Sequence, residues 1–428
     1  MNSEAVINGW LVFGAMLALF LGGLFWRKLP IGAALLLGAV GGALVAGSGL
    51  PVRHLVEGMF TYFDPMLIIF TAMFFMRILD ENGTLIQIAH WIIRAFIRQP
   101  VLLMLVVTFF IMFPAMLTGI TTTSVLTTGA IIAPPLIALG MPRAKTGALV
   151  AFVSVMGMLA PPINLLVMII GQGVDMPYIG FTGPLLVITI PIAILGAFIL
   201  GYGYVRRAKM EDALNILKVE KTNIGFAQFL PLLVVFVLMA LVRLLPAMIP
   251  DIGVPLIFII GAVLAITSGR RILVIGAAYR ALLAALPVLA LLAGVGAFLQ
   301  IMTLTGARGL LVMTALSLPE AWKYIAMLVS LPLFGGVSAF ASGMVFGVPF
   351  LLSLLGRSEI IVCVGIAILA GLGDVLPPSA INARFAAQVT GESQFLKVVS
   401  KCLPLVIVSA LAALTLIVWA DAFKGLIW

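Results

Sequence analysis

GLGDVLPPSAINAR, residues 371–384, follows the apolar run EIIVCVGIAILA of residues 359–370 without a break. A hydrophobic helix should simply continue there. Instead the chain places an aspartate, two adjacent prolines, a serine, an asparagine and an arginine. The prolines remove two backbone donors and disrupt the turns before them. In a water-exposed loop such a stretch would be ordinary. The rest of the chain decides whether it lies in one.

The chain has 428 residues, 63% of them hydrophobic and 9% charged, with a mean hydropathy of +1.29. Soluble domains carry about a quarter charged residues. Apolar runs approaching the length needed to span a bilayer recur at 10–26, 31–45, 101–117, 185–204, 229–241, 252–266, 281–304 and 403–419. With the shorter runs between them, about a dozen membrane segments are expected, not all of which need cross fully. The composition predicts an all-α polytopic membrane protein, with 371–384 inside the bilayer.

The formal charge of +9 follows from Lys and Arg at predicted helix ends, the positive-inside pattern, and gives no reason to expect nucleic-acid binding. Cys363 and Cys402, the only cysteines, sit in apolar surroundings without metal or redox spacing. Two histidines, no Gly-Lys phosphate loop and no metal-ligand cluster speak against ATP-driven transport. Arg27 and Lys28 follow the first apolar run rather than precede it. That pattern predicts a first transmembrane helix with its N-terminus outside, not a cleaved signal.

The two halves echo each other in order. FFMRILDENG (74–83) resembles AFLQIMTLTG (297–306), TTTSVLTTGAIIAPPLIALG (121–140) resembles VSAFASGMVFGVPFLLSLLG (337–356), and VSVMGMLAPPINLL (153–166) resembles ILAGLGDVLPPSAINA (368–383). Corresponding positions lie 223 (Gly83, Gly306), 215 (Pro134, Pro349) and 216 (Pro161, Pro377) residues apart. The expected organisation is a first unit at 1–205, a polar cytoplasmic linker at 206–225 and a second unit at 226–428. With the linker inside and the N-terminus outside, the units form an inverted repeat. Parity then requires an odd number of crossings per unit, so re-entrant hairpins are expected at 119–140 and 336–356, and Pro-Pro-broken helices at 144–172 and 358–390. Residues 84–100 place His90, Arg94 and Arg98 on one face beside Trp91, the pattern of an amphipathic helix in the interface.

A helix broken within the bilayer frees N–H and C=O groups, tolerated only where protein, water or a ligand satisfies them. Carbonyls at a half-helix end suit a sodium ion, and N–H groups at a half-helix start suit an anion. Asn164 and Asn382 follow their proline pairs and can offer amide oxygens to a hard cation. Thr121, Thr122, Thr123, Ser124, Thr127 and Thr128 supply hydroxyls in the first hairpin, Ser338 and Ser342 in the second; such residues also allow close helix packing. An intramembrane charge costs about 2.5–3.5 kcal/mol even on the lenient insertion scale, which makes Asp374 and Arg384 candidates for function. Asp374 can ligate sodium or carry a proton. Arg384 can hold a substrate carboxylate with its planar fork, pair with Asp374, or reach the interface.

The hairpins and paired Pro-Pro breaks resemble the large membrane subunit (DctM-like) of the TRAP, or tripartite ATP-independent periplasmic, transporters, within the ion-transporter superfamily. The similarity covers nearly the whole chain, including FFMRILDENGTLIQIAHWI (74–92), the Thr/Ser-rich stretch 118–129 and both proline pairs. The resemblance implies an elevator-type secondary active transporter, not an enzyme, in a bacterial or archaeal inner membrane. It would import an organic anion, a C4-dicarboxylate or another carboxylate or sugar acid, by sodium symport. A small TRAP membrane subunit and a periplasmic substrate-binding protein would be separate partners. Residues 84–100 would resemble the horizontal arm joining scaffold to elevator. Transferred by position, ion-binding residues are Thr122, Ser124, Pro161, Asn164, Ser338, Ser342, Gly373, Pro377 and Ser379, to which the residue reading adds Asp374. Thr121, Thr123, Asn382 and Arg384 are candidates for substrate. The sequence departs from the family at TGITTTSV (118–125) and DVLPPSAIN (374–382), where Gly-Ser-Ser-type and Thr-Pro-Pro-Val-Gly-type sequences are usual.

Two other readings compete. One is a stand-alone carrier of the same superfamily that needs no binding protein. The other is an intramembrane aspartyl protease, because Gly371-Leu372-Gly373-Asp374 matches a Gly-x-Gly-Asp pattern. That chemistry needs a second aspartate to share a proton, with Asp64 and Asp80 as candidates, and it leaves the second Pro-Pro break unexplained.

Overall fold

Small residues let the first helices close on one another. In lipid there is little hydrophobic drive between helices, so close backbone packing takes over. Helices α1 (Ser3–Phe25) and α2 (Ile31–Val45) meet where Gly38 and Gly42 leave room for Met16. The bent pair α3 (Val52–Phe60) and α4 (Phe63–Glu81) turns by 46°. The long helix α13 (Val274–Leu304) crosses α2 and α3 through Gly294 and Gly296. A Cβ on Gly294 would lie 2.4 Å from the Gly32 carbonyl oxygen, and one on Gly296 1.9 Å from that of Gly58. The computed structural model describes residues 3–207, 226–244, 250, 252–268 and 270–427. Of the polar linker, only Arg206 and Arg207 fall within these, at a helix end.

The sequence echoes reappear as geometry. Gly83 (φ +80°) and Gly306 (φ +76°) both adopt the left-handed conformation that only glycine takes without cost. Each ends one helix and starts the next: α5 (Thr84–Phe96) after Gly83, α14 (Ala307–Ser317) after Gly306.

The hairpins are longer than expected. The first joins α6 (Pro100–Thr118) to α7 (Thr121–Ala138) through Gly119 and Ile120. The second joins α15 (Glu320–Gly335) to α16 (Ala339–Ser353) through residues 336–338. Residues 119–140 are therefore the tip and second arm of a hairpin spanning 100–138, not a hairpin in themselves, and 336–356 likewise belongs to one beginning at Glu320. The hydroxyl-rich stretch is helical, and its hydroxyls are satisfied within the helix. Thr127 Oγ1 donates to the Thr123 carbonyl at 2.6 Å and Thr128 Oγ1 to that of Ser124 at 3.3 Å. Both second arms pass through a π-helical turn, Val125–Gly129 and Gly343–Gly347, starting one residue after Ser124 and Ser342.

Each proline pair separates two short helices. α8 (Arg143–Leu159) and α9 (Leu165–Gln172) flank a cis Pro161-Pro162 bond, and α17 (Glu359–Leu372) and α18 (Ile381–Thr390) flank a cis Pro377-Pro378 bond. α8 from Thr146 and α17 from Ile361 are buried on every face and form the centre of the molecule. α10 (Thr182–Arg207), α11 (Phe226–Leu244), α12 (Val254–Ser268) and α19 (Phe395–Val418) complete it. Among the described residues, 6 helices are long and apolar enough to cross a membrane alone, up to 7 with the bent α3–α4 pair. Shorter apolar helices at Ile31–Val45, Gln228–Val242, Val254–Ser268, Ala307–Ser317 and Ala339–Ser353 supply further membrane segments that are too short to pass as full spans alone. Cys363 and Cys402 are buried.

Candidate functional site

Each hairpin is stitched by one serine. Ser124 Oγ donates to the Ile111 carbonyl of α6, and Ser342 Oγ to the Leu331 carbonyl of α15, the latter at 2.7 Å. Ser124 Oγ also lies 2.9 Å from Ser154 Oγ on α8. Each broken helix then docks on the first arm of its hairpin through a glycine. A Cβ on Gly157 would lie 2.6 Å from the Met112 carbonyl oxygen, and one on Gly373, 216 residues later, 2.1 Å from the Gly335 carbonyl carbon. Gly336 is equally tight against the Pro377 carbonyl oxygen at 2.3 Å, and its own carbonyl accepts from the Ser379 N–H, at 3.0 Å, and from the Ser379 hydroxyl.

The two breaks are finished differently. At the first, Asn164 is fully buried and works as a clasp. Its Oδ1 accepts from the Val167 N–H at 3.0 Å, capping α9, and its Nδ2 donates to the Leu159 carbonyl of α8 at 2.8 Å. Tyr178 closes the loop: its hydroxyl donates to the Pro162 carbonyl and accepts from the Asn164 N–H, both at 3.2 Å. At the second break the equivalent position is Ala380, left-handed at φ +42°, and α18 starts without a side-chain cap. The first turn of a helix carries unsatisfied N–H groups and a partial positive charge.

The second break opens on a cavity of about 390 Å³. Both hairpin tips reach it, with Ile120, Thr121 and Thr122 from the first and Ser338 to Phe340 from the second. Asp374 enters from the break, Ile381 and Phe385 from α18, and Pro30 just before α2 and Pro287 and Leu291 of α13 close it. The Asp374 carboxylate accepts the Thr121 hydroxyl, a contact between residues 253 positions apart in the chain. An adjoining cavity of about 320 Å³ shares Met73, Thr122, Leu126 and Ala284 with the first and adds Thr123, Thr127, Arg77 and Asp80. Arg77 is paired with Glu81 at 2.6 Å and Asp80 at 3.7 Å, and Glu81 also binds Arg280 of α13 at 2.6 Å. Apolar walls with a few convergent polar groups are the form of a small-molecule site.

The structure thus brings Thr121, Thr122, Ser338 and Asp374 to one cavity and Thr123 to its neighbour. Ser124, Ser342 and Asn164 hold the hairpins and the first break together, Gly373 and Ser379 dock the second break on its hairpin, and Pro161 lies buried beside Asn164. Asn382 is buried in α18 and donates to the Ala151 carbonyl at 2.8 Å. Pro377 and Arg384 are exposed and absent from the cavity wall. Arg384 Nε donates to the Ser379 carbonyl at 2.7 Å and its guanidinium covers the Phe395 ring at 4.2 Å, an arrangement that ties down its own break. Among the described residues no hydrogen bond joins Asp64 or Asp80 to Asp374, so no proton-sharing aspartate pair forms. Sequence reasoning missed the apolar walls Met158, Phe340, Ile381 and Phe385, whose residue types do not distinguish a cavity from lipid. It also missed Ser154 and Tyr178, although a tyrosine among apolar residues signals a polar handle in need of a partner.

Residues 13–422 match the family described as "DctM: Tripartite ATP-independent periplasmic transporter, DctM component". The chain belongs to this DctM family. It is therefore a multi-pass membrane protein of TRAP-type secondary transport. No curated protein matches the chain. Among solved structures, the Alcanivorax borkumensis YdaH transporter, described as having an unusual topology, is similar at a TM-score of 0.57 and 17% identity. The likeness covers 88% of this chain and 89% of that one, and it supports the fold.

Proposed function

We propose that this DctM-family chain imports an organic anion bearing a carboxylate, coupled to sodium, across the cytoplasmic membrane of a bacterium or archaeon. It works with a small TRAP membrane subunit and a periplasmic binding protein, while the hairpins and broken helices move as an elevator past the α1–α3 and α13 scaffold. The reading rests chiefly on Asp374, which stands where both hairpin tips meet an uncapped half-helix. The first-turn N–H groups of α18 suit the substrate carboxylate. Asp374 carries the same charge sign as that carboxylate, so the two repel unless a cation lies between them. Sodium held by Asp374, the Thr121 hydroxyl and nearby carbonyl oxygens removes the repulsion. By linkage, each ligand then raises the affinity for the other to the same degree. At the first break the Asn164 side chain already takes up the Val167 N–H of α9.

Orientation follows from the arginines. Arg77, Arg94, Arg98, Arg143, Arg206 and Arg280 fall on one side when the helices are threaded through a bilayer from an outside N-terminus, the side expected to be cytoplasmic. The neighbouring cavity, with Arg77 and Asp80, lies toward that side, so this conformation faces inward.

The test is uptake of labelled organic acids into proteoliposomes holding this chain, its small subunit and its binding protein, with and without a sodium gradient. Uptake that needs sodium and the binding protein, and is lost in Asp374→Asn, is the expected result. Uptake without the binding protein would favour a stand-alone carrier. No uptake of any acid, with cleavage of a tagged membrane peptide, would overturn the transporter reading.

A further inference from the structure

Outside the site, α5, α6 and α11 enclose a groove of about 260 Å³ lined almost wholly by apolar atoms, including those of Trp91, Ile92, Phe109, Phe113, Phe229 and Phe236. The Trp91 ring meets Phe96 edge-on at 5.6 Å and Phe229 at 5.3 Å, so the indole is held between α5 and the start of α11. Arg94 stands one helical turn after Trp91 in α5, and Arg98 follows in the turn just beyond the helix end at Phe96. Both are exposed, and neither has an ion pair or hydrogen bond among the described residues. Some arginines elsewhere are engaged, Arg77 and Arg280 on Glu81, Arg143 on the Gly391 carbonyl and Arg384 on Ser379, whereas Arg94 and Arg98 stand beside an apolar groove without a side-chain partner among the described residues. α5 is amphipathic, as an interfacial helix should be, and its last turn gives way directly to the apolar α6.

We infer that this groove binds one anionic phospholipid, its phosphate on Arg94 and Arg98 and an acyl chain along the aromatic wall between α6 and α11. The charge settles the class of occupant. A zwitterionic lipid offers the same chain but its own ammonium offsets the phosphate, whereas phosphatidylglycerol offers net negative charge to two unpaired guanidinium groups. A soluble anion would leave the apolar groove unused. The inference requires only that the chain is embedded in a membrane and does not depend on what it transports. It gives α5 a lipid-filled joint: the lipid bridges the amphipathic helix to α11 across a gap that protein atoms leave open.

The test uses the intact chain in phosphatidylcholine nanodiscs containing a small fraction of lipid with dibrominated acyl chains, either phosphatidylglycerol or phosphatidylcholine. Bromine quenches a nearby indole, and subtracting the emission of Trp91→Phe isolates Trp91 from the other tryptophans. The expected result is half-maximal quenching of Trp91 at about tenfold less brominated phosphatidylglycerol than brominated phosphatidylcholine, a preference that salt reduces. The preference should vanish in Arg94→Gln/Arg98→Gln while the folded chain elutes unchanged. Equal quenching by both lipids in the wild type would reduce the groove to a generic lipid contact and overturn the inference. So would a preference that survives in the double variant. Native mass spectrometry of the same samples gives a second reading: one phosphatidylglycerol retained per chain in the wild type and none in the double variant.

Discussion

Asn164 uses both ends of one amide to join the halves of a broken helix, and its side chain caps the N-terminus of α9. Replacing it with alanine removes the cap and leaves the Val167 N–H and the Leu159 carbonyl buried without their partner. Losing a cap costs about 1 kcal/mol, and each buried orphan about 1–3 kcal/mol, so Asn164→Ala should lower thermal stability markedly in sodium-free detergent solution. A residue acting only as a sodium ligand would behave otherwise: its alanine variant would unfold like the wild type without sodium and lose only the sodium-dependent stabilisation. Asn164 and Asn382 both follow a proline pair, by two and four residues, and offer the same amide chemistry. Counting from the prolines by the repeat offset of 216 places Ala380 opposite Asn164 instead, and the left-handed, uncapped start of α18 is the consequence. Residue type was legible and register was not, since an asparagine two positions later faces α8 rather than the break. Asp374 was legible because a carboxylate deep in an apolar run has few uses. Arg384 carried the same signal, yet its length lets it reach back to the Ser379 carbonyl and over Phe395 rather than into the cavity.

The Pro-Pro breaks were readable as elements, because proline acts on the backbone wherever it stands. The hairpin arms were not, because serine and threonine suit a turn and a helix equally until their acceptors are known. What fixes the hairpins to the breaks is a glycine in each, Gly157 and Gly373, and this can be tested with one methyl group. In Gly373→Ala the new carbon meets backbone at 2.1 Å, where nothing flexible can give way. Overpacking of this kind costs about 1–3 kcal/mol, enough to depopulate the close-packed arrangement by about tenfold. Gly373→Ala and Gly157→Ala should both insert and elute as folded protein yet lose most uptake in proteoliposomes. Gly14→Ala, with no atom within 4 Å of the new carbon, should transport as the wild type does. Equal activity in all three would mean that the tight docking of hairpin on break has no part in transport.

For the whole molecule, two donors from outside the broken helices hold the C-terminal end of α9. Tyr62, buried on the bent span, donates its hydroxyl to the Ile169 carbonyl at 3.3 Å, and Arg308 at the start of α14 donates to the Gly173 carbonyl. A cation at a helix C-terminus also opposes the dipole there. If the broken helices travel past a fixed scaffold as proposed, these contacts must break on every cycle, and they bias the chain toward the conformation described. The long Tyr62 hydrogen bond and the partly exposed arginine together contribute about 2 kcal/mol after allowance for solvent, a shift of about thirtyfold in a two-state population. Tyr62→Phe/Arg308→Gln should therefore move the chain away from this state. The check is single-molecule energy transfer in nanodiscs between a dye on the α1–α2 loop and one on the loop after α9. The wild type should show mainly one distance, and the double variant a second, well-populated distance that sodium and substrate further redistribute. A single unchanged distance under every condition would mean that α9 does not move relative to α1 and α2, and the elevator would have to be abandoned for a mechanism in which only the hairpin tips open.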